Sequence, residues 1–448
     1  MGVANLRFRP PPRGGETARG GKTGRGGPNE RINLVKNGQD LTAGTVTWEL
    51  QRREHGVHAR RAARSPRISF PGWAAGSQPT SACADPYTRR VTDFLVRRDD
   101  LRIHQISDGE GALASAAEGT VQFRVERFGL TANNLTYGAF GDSFGYWQFF
   151  PAPEGWGRIP VWGFGEVSVS GVDGIVPGDR FYGYWPMSSY VTLQASANRA
   201  GFVESSAARA PLPSFYNHYL RAVPEAGFEP GHDDASVIMR PLFLTAWLIA
   251  DQLAANGWHG AEAVVLASAS SKTAYATASA IREHDDPPSL IGLTAAANVE
   301  FTEGLGVYDE VLTYDNIGAL PTDRGVVLID MAGNAGVRRE VHEVTHRVLQ
   351  ASIMVGATHW EGATLAGDGL PGPEPVFFFA PTVADERAAA LGPAAFAERI
   401  GAAWVAFADR LPELIEIEHA TGADALATAY AGLVEGKADP RKGLVFTL

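Results

Sequence analysis

AVVLASASSKTAYATASAI, residues 263–281, is the stretch on which the fold turns. Ala263–Ala267 reads as a buried strand, a run of small residues follows, and a helix-compatible segment opens at Lys272. A dinucleotide needs strand, tight turn and helix start in that order. The turn lets backbone approach the pyrophosphate, and the first helical turn offers N–H groups that have no partner inside the helix. Glycine is the usual device for the turn. Here the spaced small positions are Ser268, Ser271 and Ala274. Serine is small but takes positive φ less readily than glycine. A plain strand-to-helix turn has the same look, so the loop alone does not decide. Its hydroxyls can hydrogen-bond phosphate and Lys272 can supply a cation; a solvated lysine at a helix start is an equal reading.

The flanks supply the context. Residues 235–257 are long, apolar and helix-compatible, closing at Asn256-Gly257. Downstream, Ser289–Thr294, 309–313, Val326–Asp330 and 352–356 read as strands, and 297–305 and 337–350 as helices. Strands alternating with helices of this length imply a parallel, doubly wound sheet. Upstream the texture is β. In 119–128, Val121, Phe123 and Val125 alternate with Gln122, Arg124 and Glu126, as in a half-buried strand. Aromatic, glycine-rich loops are expected to about residue 158. Short strands follow over 160–192, broken by turns at Gly171-Val172-Asp173-Gly174 and Pro177-Gly178-Asp179-Arg180. Residues 384–435 read as helix-rich and 444–448 as a closing strand, with no internal repeat.

The chain has 448 residues, 45% hydrophobic and 20% charged, an ordinary composition for a soluble globular protein. No window of eighteen consecutive apolar residues predicts a membrane span. Cys83 is the only cysteine, so neither an internal disulfide nor a cysteine-rich zinc site can form. With no secretory pattern, a cytoplasmic location is the default. Charge is uneven: residues 1–90 carry a net +10 and the rest a net −21. A body this acidic argues against nucleic acid as its partner. Within the basic region, 10–28 is Gly-, Arg- and Pro-rich with almost nothing to bury, and 51–68 is again Arg-rich. A basic tethering arm is one reading; a disordered extension or an over-extended gene start is favoured, with the protein proper expected to begin near Val91.

Five segments in order resemble the medium-chain dehydrogenase/reductase superfamily, near its quinone-oxidoreductase-like branch. GTVQFRVERFGLTANNL (119–135) is similar to the opening strand and its Gly-Leu-Asn-x-x-Asp turn, with Asn134 at the usual Asp. IPVWGFGEVSVSGVDGIVPGDRFYGY (159–184) is similar to the family's Pro-x-x-x-Gly to Gly-Asp-Arg-Val run. ASVIMRPLFLTAWLIADQL (235–253) resembles the helix whose Thr-Ala pair, here Thr245-Ala246, begins the cofactor-binding half. GLGVYDEVLTYDN (304–316) resembles the turn that ends in Tyr314, and LVEGKADPRKGLVFTL (433–448) the C-terminal Gly-Lys-x-Val strand. The resemblance implies an α/β fold: a GroES-like β domain with an inserted doubly wound Rossmann domain and an active cleft between them. Its divisions would be a disordered basic extension over 1–90, the first part of the catalytic domain over 91–235, the NAD(P) domain over 236–358, and a return over 359–448. The Ser-Lys-Thr loop and the Gly-Ala-Thr-His-Trp-Glu run at 356–361 depart from the usual forms, which points to an uncharacterised bacterial subgroup.

An NAD site places Asp or Glu at the end of the second strand, against the ribose 2′-hydroxyl. Here that strand ends Leu293-Thr294-Ala295 and the next acid is Glu300, so NADP is favoured over NAD. The implied cofactor contacts are Ser268, Ser270, Ser271, Lys272, Thr273, Ala274, Thr294, Asn298, Tyr314 and Gly356. The superfamily's zinc enzymes need Cys and His ligands that Cys83, lying ahead of the fold, cannot supply. The expected chemistry is therefore zinc-independent hydride transfer to or from a small carbonyl, enone or quinone-type substrate, with donors near the nicotinamide polarising it. Candidates are Asn134, Tyr137 and Thr245. Tyr137 has an alternative in simple packing among Phe140, Phe144, Tyr146, Trp147, Phe149 and Phe150. Asn134 has one as a turn cap, and His359 with Glu361 as a surface pair.

Two readings compete. His342-Glu343-Val344-Thr345-His346 is an H-E-x-x-H match, which on a helix can hold zinc with Glu343 as base. No third ligand is evident, and an exposed polar helix face is the simpler account. A non-catalytic nucleotide-binding or structural protein on the same fold also fits a glycine-poor loop. The expected partners are a small-molecule substrate and, through the Rossmann domain, a second copy in a homodimer, with no membrane.

Overall fold

The computed structural model describes residues 88–112, 116–331, 333–356 and 369–448. Strands β1 (Thr88–Arg97) and β2 (His104–Ala112) form an antiparallel hairpin that buries Phe94, Leu95 and Val96. Strand β3 (Thr120–Leu130) buries Val121, Phe123 and Val125 as the alternation predicts. Next, where loops were expected, comes helix α1 (Ala132–Ala139). Strand β4 (Trp156–Gly157) pairs with β1. Strands β5 (Pro160–Ser170), β6 (Arg180–Pro186), β7 (Tyr190–Ala197), β8 (Gly201–Glu204) and β9 (His218–Arg221) complete the β unit. Strand β3 hydrogen-bonds to β5 along one edge and to β7 along the other, and β5-β6-β9-β8-β7 runs between them. These six strands therefore close on themselves as a barrel.

Helix α2 (Asp233–Ala255) leads out of this barrel. By length and composition it would pass for a membrane span, but 61% of its apolar window is buried, against β3, β5 and its helical neighbours. The parallel sheet follows. Its elements are β10 (Ala263–Ala267), α3 (Lys272–Arg282), β11 (Ser289–Thr294), α4 (Val299–Gly304), β12 (Glu310–Thr313), β13 (Val326–Asp330), α5 (Ala335–Thr345), β14 (Leu349–Met354) and β15 (Val376–Phe377). The spatial order is β12-β11-β10-β13-β14-β15, all parallel. The chain reverses its direction of winding between β10 and β13, and ligands of such sheets bind outside the strands' carboxyl ends at that switch point. Helices α6 (Ala380–Leu391) and α7 (Pro393–Leu414) pack on α2, where Phe243 meets Trp404 and Phe407. Strands β16 (Glu416–Thr421) and β17 (Lys442–Thr447), joined by α8 (Ala423–Val434), then return to the barrel and pair through β17 with β3. The parallel sheet is thus inserted between strands of one β sheet.

Several expectations need correction. Strand β15 lies beyond the expected division at 358. The helix expected over 337–350 stops at Thr345, whose Oγ1 donates to Val341 O (2.7 Å) and whose carbonyl accepts from Val348 N–H (2.8 Å); Leu349 then pairs with Val326. Strand β16 was hidden in a stretch read as helix-rich. The H-E-x-x-H segment is not an exposed polar face: Glu343 and His346 are exposed, whereas His342 is fully buried. The two imidazoles have different surroundings: His342 is sealed inside, whereas the His346 ring is exposed with its Nδ1 on Glu343 O (2.9 Å). Both nitrogens of His342 are occupied, Nδ1 by Pro371 O (2.9 Å) and Nε2 by Ser352 Oγ (2.8 Å). A carbonyl only accepts, so Nδ1 carries the proton and Nε2 accepts from the serine.

Burial holds the His342 pKa below its usual value, opposed by the Pro371 carbonyl and reinforced by the Arg338 charge. A depressed pKa means that the neutral ring's stabilisation is present above the unfolded value, near about 6.5, and is lost as pH falls through the folded one. His342→Asn should cost about 1–3 kcal/mol at pH 8. Its Tm gap to wild type should shrink as the solution is acidified below about pH 6. Thermal melts of both proteins across pH check this, and a gap that does not vary with pH refutes it.

Candidate functional site

The loop after β10 is built around an unusual residue. Ser268 sits in the left-handed region at φ 57°, uncommon outside glycine. Its N–H donates to Tyr314 Oη (3.2 Å), and its Oγ lies 3.2 Å from the same oxygen. Ser271 N–H donates to Ser268 O (2.8 Å), closing the turn, and Ser271 Oγ caps α3 by accepting from Ala274 N–H (3.4 Å). Ala269 is held from both sides: its N–H donates to Leu293 O (2.9 Å) and its carbonyl accepts from Tyr308 Oη (2.8 Å). This close packing requires Gly292, where a Cβ would lie 2.8 Å from that of Ala269. Ser270 Oγ accepts from Thr294 Oγ1 and Asn298 Nδ2, each at 3.2 Å. That leaves the N–H groups of Ser270, Lys272 and Thr273 with no acceptor among the described residues. All three residues border a cavity of about 1340 Å³ at the switch point. Free N–H groups at a helix start, beside a lysine, have the chemistry to hold an anion.

Lys272 is half-buried rather than solvated, and its Nζ donates to Pro440 O (3.2 Å) across the cavity mouth. Burial pushes its pKa down to about 8, opposed by the nearby Asp439 carboxylate. Residues 435–440 thus reach over the loop, a contribution that sequence reading missed because this segment has no site motif of its own.

The far end of the cavity is aromatic. Tyr137, Tyr146, Trp162 and Tyr216 line the barrel side, and Phe377 and Phe379 the sheet side. Trp162 Nε1 donates to Tyr137 Oη (3.0 Å), and the hydroxyls of Tyr146 and Tyr216 lie 3.2 Å apart. Burial pushes the Tyr137 phenol up to about 12, with hydrogen bonds to Trp162, Asn133 and Tyr184 pulling it back; at neutral pH it is a donor. Phe144 stacks on both Phe377 (5.5 Å) and Phe379 (5.1 Å), clasping the two halves together.

The other expected residues separate into those that border the cavity and those behind it. Ser268, Thr245, Asn298 and Gly356 border it. At Gly356 a Cβ would fall 2.4 Å from Met331 O, so the backbone there must stay bare. Thr245 Oγ1 donates to Pro241 O in its own helix (3.2 Å). Ala274 and Thr294 are buried, and Tyr314 stands behind Ser268, outside the lining. Asn134 does not serve as a substrate donor. It is buried, its Oδ1 accepts from Thr131 N–H (2.8 Å) and its Nδ2 donates to Pro160 O (2.9 Å), so both ends are engaged in holding α1. Its neighbour Asn133 borders the cavity instead. His359 and Glu361 lie outside the described residues.

A family profile described as "Protein of unknown function (DUF2855)" matches residues 128–439. Among solved structures, CurA from Vibrio vulnificus in complex with NADPH is 14% identical, with a TM-score of 0.51 over 76% of this chain and 94% of its own. A point mutant of Etr1p in complex with NADP and crotonyl-CoA is 10% identical, with a TM-score of 0.50 over 81% and 100%. The quinone oxidoreductase from Coxiella burnetii is 16% identical, with a TM-score of 0.45 over 80% and 100%. No curated protein matches the chain. Identities this low speak to the fold alone, which this chain shares with CurA and Etr1p.

If the loop is an anion site, inorganic pyrophosphate should bind it. Its affinity in calorimetry should fall as pH rises through and beyond about 8, where Lys272 loses its proton. Lys272→Met should bind weakly with no such step. Equal affinities for the two proteins across that range would remove Lys272 from the site.

Proposed function

The chain belongs to the DUF2855 family, and from that premise we propose that it is a zinc-independent, NAD(P)H-dependent oxidoreductase with a GroES-like barrel and an inserted Rossmann domain. The observation that carries this reading is the set of free N–H groups of Ser270, Lys272 and Thr273 on a cavity that Tyr137 also lines. The cavity exceeds the usual size of a small-ligand pocket, and the helix start fits a diphosphate. NADPH held there supplies a hydride. The residues of this chain then bind and orient: Ser270, Lys272 and Thr273 take the diphosphate, and Tyr137 donates a hydrogen bond to the substrate oxygen.

NADPH is favoured over NADH because β11 ends at Thr294 with no carboxylate to take the ribose hydroxyls, and the residue that follows it onto the cavity wall is the amide Asn298. That two structures of this fold hold NADPH or NADP supports the same choice. The substrate end offers phenols and the Asn133 amide, a donor set suited to a small carbonyl, enone or quinone-type molecule and poorly suited to zinc. Among the described residues no three His, Cys, Asp or Glu side chains cluster as metal ligands. We also propose a homodimer through the outer edge of the parallel sheet, where Val376 of β15 is 65% exposed.

Titration of the full chain with NADPH and NADH, followed by nicotinamide fluorescence, should give saturable, tighter binding of NADPH. Tyr137→Phe should leave that affinity unchanged and lower kcat for reduction of a small quinone or enone by about 100-fold, the scale of a lost proton donor. Failure to bind either nucleotide would return the chain to a non-catalytic scaffold.

A further inference from the structure

A glycine-poor loop raises the question of what keeps Ser268 in a conformation that serine avoids. Nothing within the loop does: its closing bond, Ser271 N–H to Ser268 O, is available to any residue at 268. The support comes from outside. Tyr314, at the end of β12, presents one oxygen to both the N–H and the Oγ of Ser268. As a phenol it can accept from the N–H and donate to the Oγ at once. A glycine at 268 would have no Oγ to be gripped, and no Cβ to be strained.

We propose that Tyr314 is a positioning residue, whose hydroxyl pins Ser268 in the left-handed conformation and thereby aims the N–H groups of Ser270, Lys272 and Thr273 at the diphosphate. It acts through Ser268 and touches no ligand, in keeping with its place behind the cavity wall. The ligand part of this inference rests on the nucleotide reading above; the conformational part does not. A second phenol, Tyr308, steadies the same loop by donating to Ala269 O rather than to Ser268, and serves as the internal control.

The test is a double-mutant cycle on the full chain with two readouts: thermal unfolding without ligand, and NADPH binding by fluorescence. Tyr314→Phe should lower Tm and weaken NADPH binding about tenfold, the scale of one lost hydrogen bond with its donor left unpaired. Ser268→Gly alone, which removes the strain together with the Oγ contact, is the reference for the cycle. Combined with Tyr314→Phe it should recover most of both losses, because glycine needs no pin. Ser268→Gly should not rescue Tyr308→Phe. Additive effects in the unfolding cycle, or equal rescue of both tyrosine variants, would overturn the proposal. Absence of NADPH binding by wild type would bring down the nucleotide reading, and the unfolding cycle would still decide the role of Tyr314.

Discussion

The left-handed turn at Ser268 is the constraint from which the rest of the cleft follows. A strand buried at the centre of a parallel sheet must stop, reverse and hand over to a helix within four residues. Wherever the chain does this, the first turn of the helix leaves N–H groups unpaired. In most proteins such groups are capped or solvated. Here Ser271 satisfies one of them, and the turn leaves Ser270, Lys272 and Thr273 facing a cavity. Holding a non-glycine residue at positive φ costs on the order of 1–2 kcal/mol, which is offset by hydrogen bonds from outside the loop. The cost recurs in the sheet: Gly292 must lack a side chain so that Ala269 and Tyr308 can pack.

The cleft also needs its two walls kept in register, and the linking contacts are of different kinds. On the aromatic side, Phe144 lies between Phe377 and Phe379, two stacked pairs worth about 0.5–1.5 kcal/mol each beyond their buried area. At the phosphate end, a single hydrogen bond joins Lys272 to Pro440. Helix α2 forms the spine between them, buried against both β3 and α3. The apolar contacts are insensitive to an incoming charge. The lysine contact is not, because a phosphate would compete with a neutral carbonyl for the same ammonium and would win on charge. The end that would receive an anion is therefore the one whose native bond is easiest to exchange.

Much of the fold was legible because buried parallel strands are continuous apolar runs. Ala263–Ala267, Ser289–Thr294 and Val326–Asp330 were each bounded correctly from sequence, and the alternation of 119–128 identified β3. Strand β16 was not legible: EIEHAT is polar and half-exposed, a strand only because β17 lies beside it. Helix α1 was lost among aromatics because its start depends on a reciprocal cap between Thr131 and Asn134, a pattern that reads equally as a turn. The same cap explains the error of one position in the site. Asn134 occupies the family's conspicuous place and is consumed in building the helix, whereas Asn133, with no motif to mark it, borders the cavity.

His342 shows the converse difficulty. Its spacing to His346 suggested a metal site, and the bland alternative was a solvated face; the structure supports neither. The imidazole is sealed inside and ties α5 to β14 through Ser352 and to the chain at Pro371. That carbonyl lies a few residues before Phe377 and Phe379, the sheet-side wall of the aromatic end. A polar residue in an apolar interior is tolerated only when every hydrogen-bonding atom is met, and a neutral histidine with one donor and one acceptor meets that condition here with two partners from different elements. Sequence spacing cannot distinguish such a tie from a ligand pair, since both require a polar side chain on a helix. The direction of the side chain relative to the sheet decides between them.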